Sequence, residues 1–447
     1  MIWLYRLLFW PICFLCLPYY TLRMFRRGGY FQHFIHRFGW VPKTPMHPRR
    51  LRLWIQAASV GEVQSLQSLI ERLYETVPVD IYLTTTSSTG FRVAKEMYEN
   101  VVGCIAYFPL NFWWFSVLAW NRIRPTVVWL TDSEFWPEHL HQAKIRGVPL
   151  FLVNGRCSDR SFVRYRRCKG LTRWIFPHFD RIWLSDEETF ERFVELGADK
   201  ERLSVTGNLK LDNLSVQRVP SEQEILSLRE SVTGHRDSRV LLGASTWPGE
   251  EEMLLKTYLR AKSEGIDVRL VLAPRHGERR KDIEMLLSAY RLPYCLHSQE
   301  PRESDEMAVY VLDVVGELRR FTRMADVVFV GKSLPPHRGG QSPIEAAAYG
   351  KAIVYGPNMG NFRTICRDLE TFPGALPVSS GEEAEATLLR LLKEPEECER
   401  LGNGAKRWHV LRGGALDRLW KEVFPLLTNI HRGMRWRMRR EEKEARD

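Results

Sequence analysis

From Leu51 to about residue 210, short apolar runs alternate with segments whose apolar residues recur every three or four positions. The runs are LRLWIQAA, VDIYLTTTS, VVGCIAYF, PTVVWLTDS, VPLFLVNG, FDRIWLSD and RLSVTGN. The first segment between them carries Val63, Leu66, Leu69, Ile70 and Leu73 at helical spacing. Near-continuous apolar strands joined by helices define a parallel sheet covered on both faces. The pattern breaks at the polar stretch NLSVQRVPSEQ and restarts with RVLLGAST, IDVRLVLAPRH, MAVYVLDVVG, DVVFVGKS, AIVYGP and ALPVSS. The chain is therefore expected to be α/β, with two Rossmann-like, doubly wound domains over residues 46–215 and 216–430. In such sheets ligands bind beyond the carboxyl ends of the strands, and a pair of facing rims would offer one cleft to two substrates.

The first forty residues follow another pattern. Ile2 to Leu22 has a single charge, Arg6. The 16 residues between Arg6 and Arg23 would make about 24 Å of helix against a hydrocarbon core of about 30 Å. Pro11 and Pro18 weaken that helix, so a span and a shallow anchor both stay open. Arg23, Arg26 and Arg27 follow at once and favour a cytoplasmic location for the rest. In GYFQHFIHRFGW, Phe31, Phe34, Ile35 and Phe38 share one helical face, so an amphipathic helix on a membrane surface is expected. Residues 1–45 are thus read as a membrane anchor.

Charge supports that reading. Of the formal net charge of +11, residues 1–50 supply +8 and residues 431–447 supply +3, which leaves the body neutral. Basic ends around an apolar run fit an anionic bilayer surface; nucleic acid would call for a basic face on a folded domain. The tail 431–447 is set apart as basic, a solvated helix or a second membrane contact. The eight cysteines are scattered, and the Cys13–Cys16 pair lies inside the apolar run with no second pair to complete a zinc site.

Polar residues gather where the strands end. Neither half has a GxGxxG after its first strand, and no Walker loop or GxSxG occurs, which removes the best signatures of a nicotinamide enzyme, an ATPase and a serine acyl transferase. What the ends carry instead is SVGE (59–62), DSEFWP (132–137), NGRCS (154–158) and GNLKLD (207–212) in the first half, and PRH (274–276), GEL (316–318) and GGQSPIEAA (339–347) in the second. Ser59-x-x-Glu62 fits a helix capping box, with Glu62 reaching back to the Ser59 amide. Gly61 in that first turn costs stability a mere cap need not lose, and would allow a ligand to approach closely. Ser342-x-x-Glu345 repeats the capping spacing, with Pro343 at the favoured first helical position. Gly339 and Gly340 ahead of it suit an anion site, and Glu345 a ribose. Arg275 offers a fork of donors to an anion. Asp132 and Glu134, two apart in an extended strand, would share a face.

Taken together, and in this order, these strings resemble the bacterial 3-deoxy-D-manno-octulosonic acid (Kdo) transferases of lipopolysaccharide assembly, from the N-terminal run to about residue 425. The resemblance implies a GT-B fold, CMP-Kdo as donor, a lipid A precursor as acceptor, and work at the cytoplasmic side of the inner membrane. It implies Glu62 as general base, with Glu134 and Lys210 stabilising the transition state. It places CMP against Pro274, Arg275 and His276, Val315 to Leu318 (with Gly316 and Glu317), and Ser342 to Glu345 (with Pro343 and Ile344). A nucleoside monophosphate leaving group has no diphosphate for a metal to bridge, so neither a metal nor a cofactor is expected, CMP-Kdo being a co-substrate. Two other readings stay open: a GT-B transferase of a UDP-sugar, and an inactive membrane-tethered binding protein of the same fold. This chain departs from the family's usual residues at Asn111 (commonly Asp), Trp247-Pro248 (His-Glu), Lys332 (Gly) and Gln341-Ser342 (His-Asn).

Overall fold

The computed structural model describes residues 1–11, 33–212, 221–235, 237–299, 308–314 and 316–444, with side chains to residue 436. It divides into two compact units, Met1–Val216 with Gly413–Asp447, and Gln217–Arg412.

The first unit is built on β1 (Leu51–Gln56), β2 (Val79–Thr85), β3 (Cys104–Tyr107), β4 (Val127–Thr131), β5 (Leu150–Gly155), β6 (Arg181–Leu184) and β7 (Leu203–Val205). They form one sheet in the order β3-β2-β1-β4-β5-β6-β7, and every pairing is parallel. All six residues of β1 are buried, Arg52 and Gln56 along with the four apolar ones, as a central strand covered on both faces requires. Leu53 and Ile55 belong to the core on one face, and Trp54 to the core on the other. Strand order reverses between β1 and β4, so their carboxyl ends splay apart there.

The second unit repeats the plan with β8 (Arg239–Thr246), β9 (Val268–Pro274), β10 (Tyr294–Leu296), β11 (Val309–Val311), β12 (Val327–Val330), β13 (Ala352–Tyr355) and β14 (Ala375–Pro377). The order is β10-β11-β9-β8-β12-β13-β14, again parallel, and the reversal falls between β8 and β12.

Three expectations change. Residues 413–430, assigned by sequence to the second domain, pack with the first. The helix Ala415–Glu444 carries Ala415, Leu419, Val423 and Leu427 into the core beside β1 and β2. The tail is therefore no separate segment; it is the continuation of that helix, and Met434 still packs on the core. The amphipathic helix expected over 29–40 is a 3-10 turn, Phe34–Phe38, ended by Gly39 at φ 83°. Arg37 of this turn reaches inward to the Thr86 carbonyl and over the Tyr107 ring. Phe31 lies outside the described residues, as do the Cys13–Cys16 pair, Arg23, Arg26 and Arg27.

Residues 2–11 are helical. Arg6, the single charge of the apolar run, forms a two-pronged ion pair with Glu138, at 2.9 and 2.8 Å. Among the described residues no helix is long and apolar enough to cross a membrane.

Candidate active site

At the reversal point of the first sheet, β1 runs through Ala57 and Ala58 into the helix Val60–Ser65. The capping box does not form. Ser59 accepts no backbone amide, and its hydroxyl donates to Glu62 Oε1 at 2.8 Å. Glu62 Oε2 accepts the amide of Ala58 at 2.7 Å, one residue short of the expected partner. The Thr131 hydroxyl, at the end of β4, stands 3.0 Å from the same oxygen. A carboxylate 91% buried and so oriented is a positioned group. Burial raises its pKa above the usual carboxylate value, and the neighbouring Asp132 raises it further against the pull of the three donors.

Glu134 lies close by. Burial first, and the Glu62 charge second, push its pKa up from 4.5 to about 7. It accepts the Trp136 indole N–H at 2.7 Å. The shared strand face expected for Asp132 and Glu134 does not exist, because β4 ends at Thr131 and Asp132 takes a left-handed φ of 52°. That turn sends Asp132 sideways to Asn154 at the end of β5, which donates to it at 2.9 Å.

Asn154 ties in the lysine. Its Oδ1 accepts the Leu209 amide at 3.1 Å, and Asn208 accepts the Lys210 amide at 3.1 Å. The Lys210 ammonium then comes so near Gly61 that a Cβ there would lie 3.5 Å from Nζ. Gly61, read as room for a ligand, faces this cation at ordinary van der Waals distance. Burial lowers the Lys210 pKa, Arg156 lowers it too, and Asp132 and Glu62 oppose them. The structure thus brings Glu62, Glu134 and Lys210 together from three loops.

Sequence reading did not single out Gln56, Thr131 or Asn154 as site residues, and weighed Asp132 only as a partner of Glu134. Gln56 is fully buried, receives the Thr84 hydroxyl at 2.7 Å, donates to Thr86 at 3.0 Å, and holds the Glu134 pKa down by hydrogen bonding. Its signal was a lone amide at the end of an otherwise apolar run.

In the second unit Pro274 ends β9, and Arg275 and His276 follow it into solvent. Gly316 is left-handed at φ 101° and leads to the helix Leu318–Met324, while Glu317 pairs with Arg320 at 2.8 Å; Val315 lies outside the described residues. The second capping box is also absent. The helix starts at Ile344, so Pro343 caps it from outside, and Ser342 accepts the Ile344 amide at 3.3 Å. Glu345, expected free for a ribose, is met by Arg319 at 3.2 Å. The amides of Gly339, Gly340 and Gln341, expected to cradle an anion, donate to the carbonyls of Asn358, Lys332 and Gly331.

A residue that sequence reading passed over organises this rim. Glu250, 1% exposed, accepts four backbone amides: Trp247 at 2.9 Å, Lys332 at 2.8 Å, Ser333 at 2.9 Å and Leu334 at 3.1 Å. It staples the loop after β8 to the loop after β12.

Two parallel sheets, each with polar residues beyond its reversal point, define a two-unit α/β fold of the GT-B kind. Solved structures agree on the fold. UDP-GlcNAc 2-epimerase from Neisseria meningitidis matches with a TM-score of 0.57 at 14% identity, over 84% of this chain and 100% of that one. Anabaena Alr3699/HepE matches with 0.56 at 13%, over 85% and 100%. Sequence relatives are more specific. The family model described as 3-deoxy-D-manno-octulosonic-acid transferase (kdotransferase) matches residues 32–213. The 3-deoxy-D-manno-octulosonic acid transferase of Haemophilus influenzae is 30% identical over 433 residues, 95% of this chain and 99% of the relative. That of Bordetella pertussis is 29% identical over 90% and 94%. The chain belongs to the 3-deoxy-D-manno-octulosonic acid transferase family, and is a glycosyltransferase.

Proposed function

We propose that this enzyme moves Kdo from CMP-Kdo to a hydroxyl of a lipid A precursor, in one inverting displacement at the cytoplasmic side of the inner membrane. Glu62 takes the proton of the acceptor hydroxyl as its oxygen bonds to the sugar, and the bond from sugar to phosphate oxygen breaks to release CMP. As that bond loosens, the sugar gains positive charge, which the carboxylates favour; Lys210 offsets negative charge as it builds. Residues Pro274 to His276, Gly316 to Leu318 and Ser342 to Glu345 are the proposed surroundings of CMP, with Val315 included by sequence alone.

The observation that carries this reading is the Glu62 carboxylate itself. It is buried, oriented by three donors, and more basic than an ordinary glutamate. Glutamine can keep the Ala58 and Ser59 contacts but cannot take a proton. Glu62→Gln should fold with a near-native melting temperature, bind CMP normally, and lose turnover by a factor on the order of 10²–10⁴. Near wild-type transfer by the purified variant would refute the assignment. A UDP-sugar donor is tested by calorimetry, where CMP should bind and UDP should not.

Membrane attachment is part of the proposal. Its support is the apolar surface that helix 2–11 exposes through Trp3, Leu4, Leu7 and Leu8, with Ile35, Trp40 and Trp114 also exposed in the same unit. The excess of basic residues over 1–50 would add attraction to anionic lipid.

A further inference from the structure

The geometry points to Lys332 as the residue that holds the donor's phosphate in this chain. The inference rests on the CMP-Kdo reading and adds a residue that the sequence strings did not assign to it. It begins with the backbone. Lys332 sits at φ 59°, in the left-handed region that side chains rarely adopt and glycine adopts freely. Its conformation is imposed from all sides. Glu250 holds its amide, the Gly340 amide holds its carbonyl, and Gly331 beside it packs so tightly that a Cβ would fall 2.4 Å from the Ser245 carbonyl oxygen. A strained residue fixed by its surroundings is a reason to ask what its side chain does.

Its place answers. Lys332 follows β12 and Trp247 follows β8, the two strands between which the order of the second sheet reverses. That is where open parallel sheets bind ligands. The Lys332 ammonium lies 4.7 Å from the centre of the Trp247 ring. The ring is flanked by His276 at 5.4 Å and His337 at 5.3 Å. Stacking on Trp247 orders a flexible cation before any ligand arrives. The amides of Gly339, Gly340 and Gln341 are spent on protein carbonyls. Lys332 supplies the charge that the glycine loop does not.

Glycine at 332 relieves the backbone, so the informative variant is also one that should fold. Calorimetry with CMP and with cytidine on the full-length protein, on Lys332→Gly and on Lys332→Met tests the role. Both variants should bind CMP about 10- to 100-fold more weakly, the size of a lost charged hydrogen bond, and cytidine as well as wild type does. Lys332→Gly should melt no lower than wild type. Unchanged CMP affinity in both variants would overturn the proposal. A rise in the CMP-Kdo KM alone would do the same, since it would move the cation to the sugar carboxylate. Equal loss for CMP and cytidine would overturn it too, by making Lys332 a shape element of the rim. Failure of the wild-type protein to bind CMP would instead refute the donor reading.

Discussion

Glu134 shows what a buried environment costs a single carboxylate. Its carboxyl is raised from 4.5 to about 7, chiefly by burial. Between those values the folded protein holds a proton that the unfolded chain has released. Stability from this group is therefore full below about 4.5 and is lost as pH rises through 7. Glu134→Gln removes the penalty. The variant should unfold at the same denaturant concentration as wild type near pH 4. At pH 8 it should be more stable, by on the order of 2–3 kcal/mol. Its transfer rate should fall all the same. A variant no more stable at pH 8 would show that Glu134 stays ionised without cost. Glu62 is raised by the same causes, so turnover should climb with pH across a midpoint above the ordinary carboxylate range, seen in a pH profile of kcat.

Among the elements, the N-terminal helix is tied to the body by more than apolar contact. Arg6 is 13% exposed and Glu138 fully buried in the first turn of the helix Pro137–Arg146. Tyr5 donates to the Asn111 carbonyl at 2.6 Å, while the Asn111 side chain accepts the Glu138 amide at 2.9 Å. Phe9 stacks on Phe112 at 4.6 Å. Asn111, one of this chain's departures from its family, thus joins two helices. Removing one member of a buried pair leaves an uncompensated charge. Arg6→Met should cost about 3–5 kcal/mol in chemical denaturation, whereas Arg6→Met with Glu138→Leu should recover most of it. A double variant as unstable as the single one would mean that the pair itself, not the orphaned carboxylate, provides the stability.

At the scale of the molecule, the chain leaves the first unit after about residue 216, builds the second, and returns at Gly413. The return is structural. Arg72 pairs with Asp417 at 2.5 Å, Trp183 and Ser204 both donate to Glu422 at 2.8 Å, and Asp212 accepts the amides of Gly414 and Leu416. Leu419, Val423 and Leu427 are at most 1% exposed. Burying three such side chains contributes on the order of 5–9 kcal/mol, as much as the net stability of many domains. A protein ending at Arg412 should therefore be insoluble or lack the first unit's cooperative melting, and one ending at Trp436 should melt like the full chain. Normal melting of the 1–412 protein would show the last helix to be dispensable.

Thirteen of the fourteen strands among the described residues were legible in the sequence, because a parallel strand buried on both faces is apolar along most of its length. β10, Tyr294–Leu296 behind Pro293, was not. The strand-end positions of Glu62, Glu134 and Lys210 were legible for the same reason, since polar residues begin where burial stops. Their roles came from resemblance. The sequence could not say which amide Glu62 would accept, that Lys210 would lie beside Gly61, or that Asn154 would bind Asp132. Each depends on a left-handed turn or on a neighbour from a strand far away in the chain. Nor could spacing show that the glycine-loop amides are already spent, or that Glu250 binds two loops eighty residues apart. Local pattern records how each residue meets water and the sheet, and so it determines elements and their ends. Which polar groups remain for a ligand is decided only after every buried donor and acceptor has found its partner, and that accounting is closed by tertiary structure alone.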